Sequence, residues 1–324
     1  MELFKLNRRF EFMKRSPLLL SLSLVVMIVS YSLLFTKGLN LGIDFAGGTL
    51  VQVKYEKEAP IDQIRELLKG DEIFNGSSIT EFGSPKEIVI KIKTSSGDLK
   101  NDIGDKVRTT LKGSGDYEIR RVDIVGPKVG GELREQGLLS LLLVTIGILI
   151  YISFRFEWRF ALASIFALVH DVTIALGALV LFQIEVNLDT LAALLTILGY
   201  SLNDTIIVFD RIREGLLKFR KIDNLAHIID ESVSRTLSRT TLTSLTTFFV
   251  VLTLFIFGGE IIHGFSFTLL VGVVVGTYSS IFIASPTLLW FKFNVGNYRR
   301  YLAEKEKREK DKEQMRAMYE NGTM

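Results

Sequence analysis

The sequence predicts a polytopic α-helical membrane protein with six transmembrane helices and an α+β ferredoxin-like (βαββαβ) periplasmic domain inserted between the first and second helices. Three observations carry this. Six apolar runs are each close to the roughly 20 residues that cross a hydrocarbon layer. With 48% hydrophobic residues and a mean hydropathy of +0.31, the 324-residue chain is too apolar for a soluble protein of its size. Between the first two runs, alternating and helical apolar periods follow each other in an ordered way.

Residues 1–16 form a basic cytoplasmic N-terminus, in which Lys5, Arg8, Arg9, Lys14 and Arg15 stand among Phe4, Leu6, Phe10, Phe12 and Met13. A positive inner flank of the next span explains it, and a partner-binding helix is the alternative. Pro17–Phe35 is the first transmembrane helix (17–35), longer than a signal core and without a small-residue cleavage pattern, so it is read as retained.

Residues 36–135 are the periplasmic domain. Thr49, Val51, Val53 and Tyr55 alternate with Leu50, Gln52 and Lys54, which marks a strand. Ile61, Ile64, Leu67 and Leu68 have helical spacing after Pro60. Ser78–Phe82 and Ile88–Ile92 alternate again around Gly83-Ser84-Pro85-Lys86, a hairpin turn. Leu99, Ile103, Val107 and Leu111 recur every four residues, and Tyr117–Val125 returns to strand. The order β-α-β-β-α-β is that of a split βαβ unit. No lysine follows Gly47-Gly48 at the entry in P-loop spacing and a strand follows instead of a helix, which favours a tight junction over a phosphate cradle, and Gly126, Gly130 and Gly131 form a matching exit. They read as tight junctions that permit rigid-body motion, hence candidate hinges.

Residues 136–291 are a five-helix membrane bundle with spans at 137–154, 160–181, 188–209, 240–257 and 265–291. The connections 183–187 and 258–264 carry no Lys or Arg, whereas 154–159 and 211–239 are Arg-rich. The positive-inside rule therefore puts both termini in the cytoplasm and the domain outside. Trp158 and Trp290 fall at the span boundaries, and 292–324 is a charged cytoplasmic tail.

Charged residues inside these spans are the candidate functional groups. Asp204, beside Asn203, sits in the fourth span, and His170-Asp171 sit near the middle of the third. A carboxylate at that depth costs roughly 2.5–3.5 kcal/mol and is normally paired or wet. Arg239, in the hydroxyl-rich stretch Ser234–Thr247, is the best partner for Asp204 on residue type. Asp210, with Arg211 and Arg213, reads as a boundary ion pair. Two readings fit equally: the acids and hydroxyls are polar glue between helices, or Asp204 gains and loses a proton while Arg239 tunes it.

Other classes are excluded on residue type. No cysteine means no disulfide and no thiolate metal site; three histidines without an HExxH pattern leave no zinc protease. There is no serine triad and no nucleotide loop, and the two acids lack the glycine-flanked context of an intramembrane aspartyl protease. The expectation is a protein that is no enzyme, holds no metal or cofactor and binds no nucleic acid.

Five motifs in order carry a resemblance: Gly42–Thr49, Val125–Gly130, His170-Asp171, Gly199–Glu214 and Thr236–Thr240. With their topology, the chain resembles the SecF side of the SecD/SecF family of bacterial protein-export membrane subunits, within the resistance-nodulation-division superfamily. The resemblance implies a multi-pass subunit of the bacterial inner membrane that pairs with SecD, works with the SecYEG channel, the SecA motor and YajC, and uses the proton gradient to help pull unfolded exported polypeptide across. Asp204 matches the family's intramembrane carboxylate, Arg239 the arginine near it, and Asp171 a further motif residue; the family's path also uses an Asp of SecD. A proton-driven small-molecule or lipid exporter of the same superfamily, or a non-conducting assembly scaffold, is the alternative.

Overall fold

The computed structural model describes residues 10–93, 103–218, 224–291 and 295–320. The expectations for residues 1–9, Leu99 and the ends of the charged tail lie outside the described residues.

Helix α1 (Phe12–Thr36) carries Pro17 in its second turn, where proline cannot donate to the Met13 carbonyl. Ser16 Oγ donates to that carbonyl instead at 2.8 Å, so the helix continues. A short helix α2 (Ile43–Ala46) follows, unsignalled by any periodicity, and leads through Gly47 into β1 (Gly48–Tyr55). Then come α3 (Ile61–Lys69), β2 (Ser78–Glu81), β3 (Glu87–Ile92), α4 (Ile103–Thr110) and β4 (Tyr117–Val125). The four strands form one antiparallel sheet in the order β2-β3-β1-β4. Val51, Val53 and Tyr55 line one face with Ile88, Ile90 and Ile92, and α3 and α4 cover it with Ile64, Leu68, Ile103 and Val107. Alternation at period two thus puts every second residue of β1 and β3 into one core. Burial pushes the Tyr55 hydroxyl above its ordinary value, so it stays protonated while it bonds Ser114 Oγ at 2.9 Å.

The sheet unit docks on one end of the helical bundle. The segment 40–42 pairs in parallel with Val186, through Gly42 N–H to the Val186 carbonyl and Val186 N–H to the Asn40 carbonyl, both 2.8 Å. Lys91 Nζ meets Glu185 Oε2 at 2.7 Å. Gly47, with φ of +81°, packs on Pro127, and a side chain at Gly130 would come within 3.0 Å of the Gly47 nitrogen. Gly48 lies against the Ile92 carbonyl. Three of the five candidate hinge glycines therefore close a packed junction, while Gly126 and Gly131 face open space.

Among the described residues, six helical stretches are long and apolar enough to cross a membrane. They are α1, α5 (Pro127–Arg155), α6 (Trp158–Leu181), α7 (Leu188–Lys218), α8 (Leu225–Phe257) and a last one made of α9 (His263–Ser279), a π-helical turn at Ser280–Ala284 and α10 (Ser285–Trp290). Most helices run past the apolar spans read from sequence. In particular α7 and α8 extend through much of 211–239, because helix propensity continues where hydropathy stops. Helices α6, α7 and α9 form the inside, with α1, α5 and α8 around them. Gly177 lets α6 approach Ser30 of α1, and Gly272 and Gly276 let α9 approach Ile197 and Ser201 of α7. A final helix, α11 (Val295–Glu320), starts with buried Val295 and Tyr298 and runs out as a charged helix.

Candidate functional site: two buried carboxylates in the helix bundle

The buried stripe of α7 includes Ser201, Asp204, Thr205 and Val208, spaced three to four residues apart as one face of a helix requires. Within it, Asp204 is 1% exposed. Its Oδ2 accepts a hydrogen bond from Ser244 Oγ of α8 at 3.2 Å, and its Oδ1 has no hydrogen-bond partner among the described residues. Ser244 Oγ in turn accepts from Thr277 Oγ1 of α9 at 2.7 Å.

One turn back on α7, Ser201 Oγ donates to Asp171 Oδ2 of α6 at 2.5 Å, and Ser279 Oγ of α9 donates to the same oxygen at 2.8 Å. The other oxygen of Asp171 faces His170 Nδ1 at 2.9 Å. Asp171 is fully buried, so its hydrogen bonds replace what water would supply. The His170 ring stacks near Tyr278, with centroids 6.1 Å apart, and its Nε2 is buried without a partner among the described residues. Tyr278 Oη reaches α1, donating to the Leu19 carbonyl at 2.8 Å and meeting Ser23 Oγ at 2.8 Å. The π-helical turn begins at Ser280, directly after these contacts, a place where such turns often mark function.

The expected Asp204–Arg239 contact is not made. Arg239 lies on the exposed side of α8 and has no ion pair among the described residues. Five residues of helix separate it from Ser244, which turns it about 140° away from the face that meets α7. Asn203 is also exposed, on the outer side of α7. Asp210 sits at the end of the bundle away from the sheet, between Arg155 Nη2 at 3.3 Å and Arg213 Nη2 at 3.6 Å, as a boundary ion pair. Of the hydroxyls that meet the two acids, Ser244 lies in the hydroxyl-rich stretch read as polar glue, whereas Ser201 and Ser279, and Thr277 behind Ser244, are not marked out by the sequence reading. The polar run Thr277–Ser280 inside an apolar span was the signal that could have found α9's share. Among the described residues, no group of three His, Asp or Glu could hold a metal ion.

An inner trio of helices holding a carboxylate–hydroxyl seam, with a small antiparallel sheet at one end, defines a multi-pass membrane protein whose polar chemistry is inside the bundle. The chain belongs to the SecD/SecF family of protein-export membrane proteins: residues 106–294 match the family's C-terminal region and residues 32–59 its GG motif. The protein translocase subunit SecF of Helicobacter pylori is 51% identical over 322 residues, 99% of each chain. That of Vibrio alginolyticus is 46% identical over 292 residues, 89% of this chain and 91% of the relative. The crystal structure of SecDF from Thermus thermophilus, a translocon-associated membrane protein, superposes with a TM-score of 0.78 at 34% identity, over 90% of this chain. SecDF in its super-membrane-facing form gives 0.70 at 33% identity, over 94%. The chain spans 40% and 41% of those two SecDF chains.

Proposed function

We propose that this chain is the SecF half of a SecD/SecF complex in the bacterial inner membrane, which uses the proton gradient to assist translocation of unfolded polypeptide through SecYEG beside SecA, with YajC as a further partner. Both termini face the cytoplasm and the sheet unit, a ferredoxin-like domain by its strand order, faces the periplasm. The role is not enzymatic and calls on no cofactor; the proton gradient supplies the work. The observation that carries this reading is Asp204, a buried acid with one oxygen on a single hydroxyl and the other on nothing.

With a single hydroxyl contact, this buried acid has little around it to offset a change in its charge, so gaining or losing a proton there bears directly on how α7 and α8 sit together. One proton moving down about 150 mV releases about 3.5 kcal/mol, enough to shift a two-state equilibrium a few hundred-fold. Arg239, on the exposed face of α8, is placed to meet the SecD half, whose own intramembrane Asp completes the path. Protonation of Asp204 removes the charge to which Ser244 of α8 donates, which loosens α8 from α7, and the shift passes along α1 and α5 to the outer domain. Asp171 gives a scaffold role its best support, since the groups on its two oxygens tie α6 to α7 and α9.

The test is Asp204→Asn in a complex with SecD. Gradient-dependent stimulation of export disappears while ATP-driven export by SecA persists; full stimulation in the variant contradicts the reading.

A further inference from the structure

A groove of about 340 Å³ opens on the surface between α8 and α9, walled by Leu245, Phe248, Val273 and Val274. Its remaining lining residues are Thr241, Ser244 and Thr277. Ser244 and Thr277 are also the two hydroxyls that lead to Asp204, at 2.7 Å between them and 3.2 Å to the carboxylate. Ser244 is 8% exposed, so its hydroxyl has no bulk water to turn to, and Thr277 is part-buried at the groove. The groove wall therefore leads to the acid through two hydroxyl groups in series; Thr277 Oγ1 also bonds the Val273 carbonyl at 2.7 Å, so its single proton turns from that carbonyl to Ser244 when the series points toward Asp204.

We propose that Ser244 and Thr277 are the proton bridge between this groove and Asp204, an inference that rests on the functional reading above. A hydrated proton in the groove transfers its proton to Thr277 Oγ1 and is left as water. Thr277 passes its own hydroxyl proton to Ser244 Oγ, and Ser244 passes its hydroxyl proton to Asp204 Oδ2. The carboxylate ends neutral, both hydroxyls end intact, and one proton has crossed two hydrogen bonds. Release runs through the same atoms in reverse or through the unpartnered Oδ1. Few other groups compete for the proton. From α6, His170 and Asp171 reach this part of α7 through Ser201; α9 offers Tyr278, stacked on His170; α8 offers Arg239 on its far face; and Asp210 lies almost two turns further along α7.

Ser244 and Thr277 are positioning and relay residues, so the test separates transfer from packing. Complexes with SecD are reconstituted in vesicles, normalised to the amount of assembled complex, and proton flux is followed under an imposed potential at several pH values. Ser244→Ala and Thr277→Val each lower flux about tenfold, the scale of one lost hydrogen bond in the path. The double variant is no slower than either single, because both interrupt one path. Ser244→Thr restores flux, since it returns the hydroxyl. Wild-type flux in either single variant, in a complex where Asp204→Asn is inactive, overturns the bridge. Losses that multiply in the double variant and track lowered melting temperature overturn it too, as they mark independent packing roles. Flux surviving in Asp204→Asn itself instead removes the functional reading beneath it.

Discussion

Asp171 and Asp204 meet the same helix, α7, one turn apart, yet their surroundings are opposite. Asp171 has hydrogen-bonding groups on both oxygens from three helices, whereas Asp204 has one hydroxyl at 3.2 Å and an empty second oxygen. A buried carboxylate with a full set of donors ties the helices that supply them into one arrangement. One with a single donor ties fewer groups together. The bundle thus keeps its geometry with one acid and leaves the other free to respond, and each of the following experiments strains that contrast.

The largest expected effect on stability is at Asp171. Asp171→Ala strands Ser201, Ser279 and His170 in the interior and costs about 3–5 kcal/mol, whereas Asp204→Ala costs about 1 kcal/mol or less. Thermal melting of the two variants in detergent checks this, and equal losses break the contrast. Next is Gly276→Val, whose new Cβ would stand 2.9 Å from that of Ser201. Overpacking there costs about 1–3 kcal/mol and pushes Ser201 off Asp171. The same melting assay reads it, and an unchanged melting temperature would mean that the α7–α9 contact is loose. Lys91→Ala removes the part-buried pair with Glu185 that ties the sheet unit to the bundle. It costs under about 1 kcal/mol of global stability but raises proteolysis of the junction around residues 36–48 in limited digestion. The smallest effect is at Arg239: Arg239→Gln changes the melting temperature of the isolated chain by no more than the equivalent of about 0.5 kcal/mol, since the side chain is exposed and unpaired among the described residues. Its loss is expected in the SecD complex, as reduced gradient-dependent export.

Which parts were legible follows from the range of the interactions that decide them. The strands of the sheet unit and the apolar helices are set by local periodicity, and β1, β3 and β4 fall within a residue of where alternation placed them. Asp204 and Asp171 stood out because a charge in an apolar run needs a reason. Their partners did not, because α8 meets α7 at Ser244 and not at Arg239, and the crossing point of two helices is fixed by packing across the bundle. Residue type favoured the cation, while helical phase decided for the hydroxyl. The docking of the sheet unit was likewise hidden, since Lys91 and Glu185 are 94 residues apart. Short α2 carries too few residues to show any period.

The central claim is that Asp204 exchanges the proton and Asp171 holds the frame. Proton flux through vesicles containing the SecD complex, measured side by side for Asp204→Asn and Asp171→Asn at equal amounts of assembled complex, addresses it most directly. The account predicts that flux is lost in Asp204→Asn and retained within a few-fold in whatever Asp171→Asn complex assembles. Flux that survives in Asp204→Asn and vanishes in Asp171→Asn would contradict it.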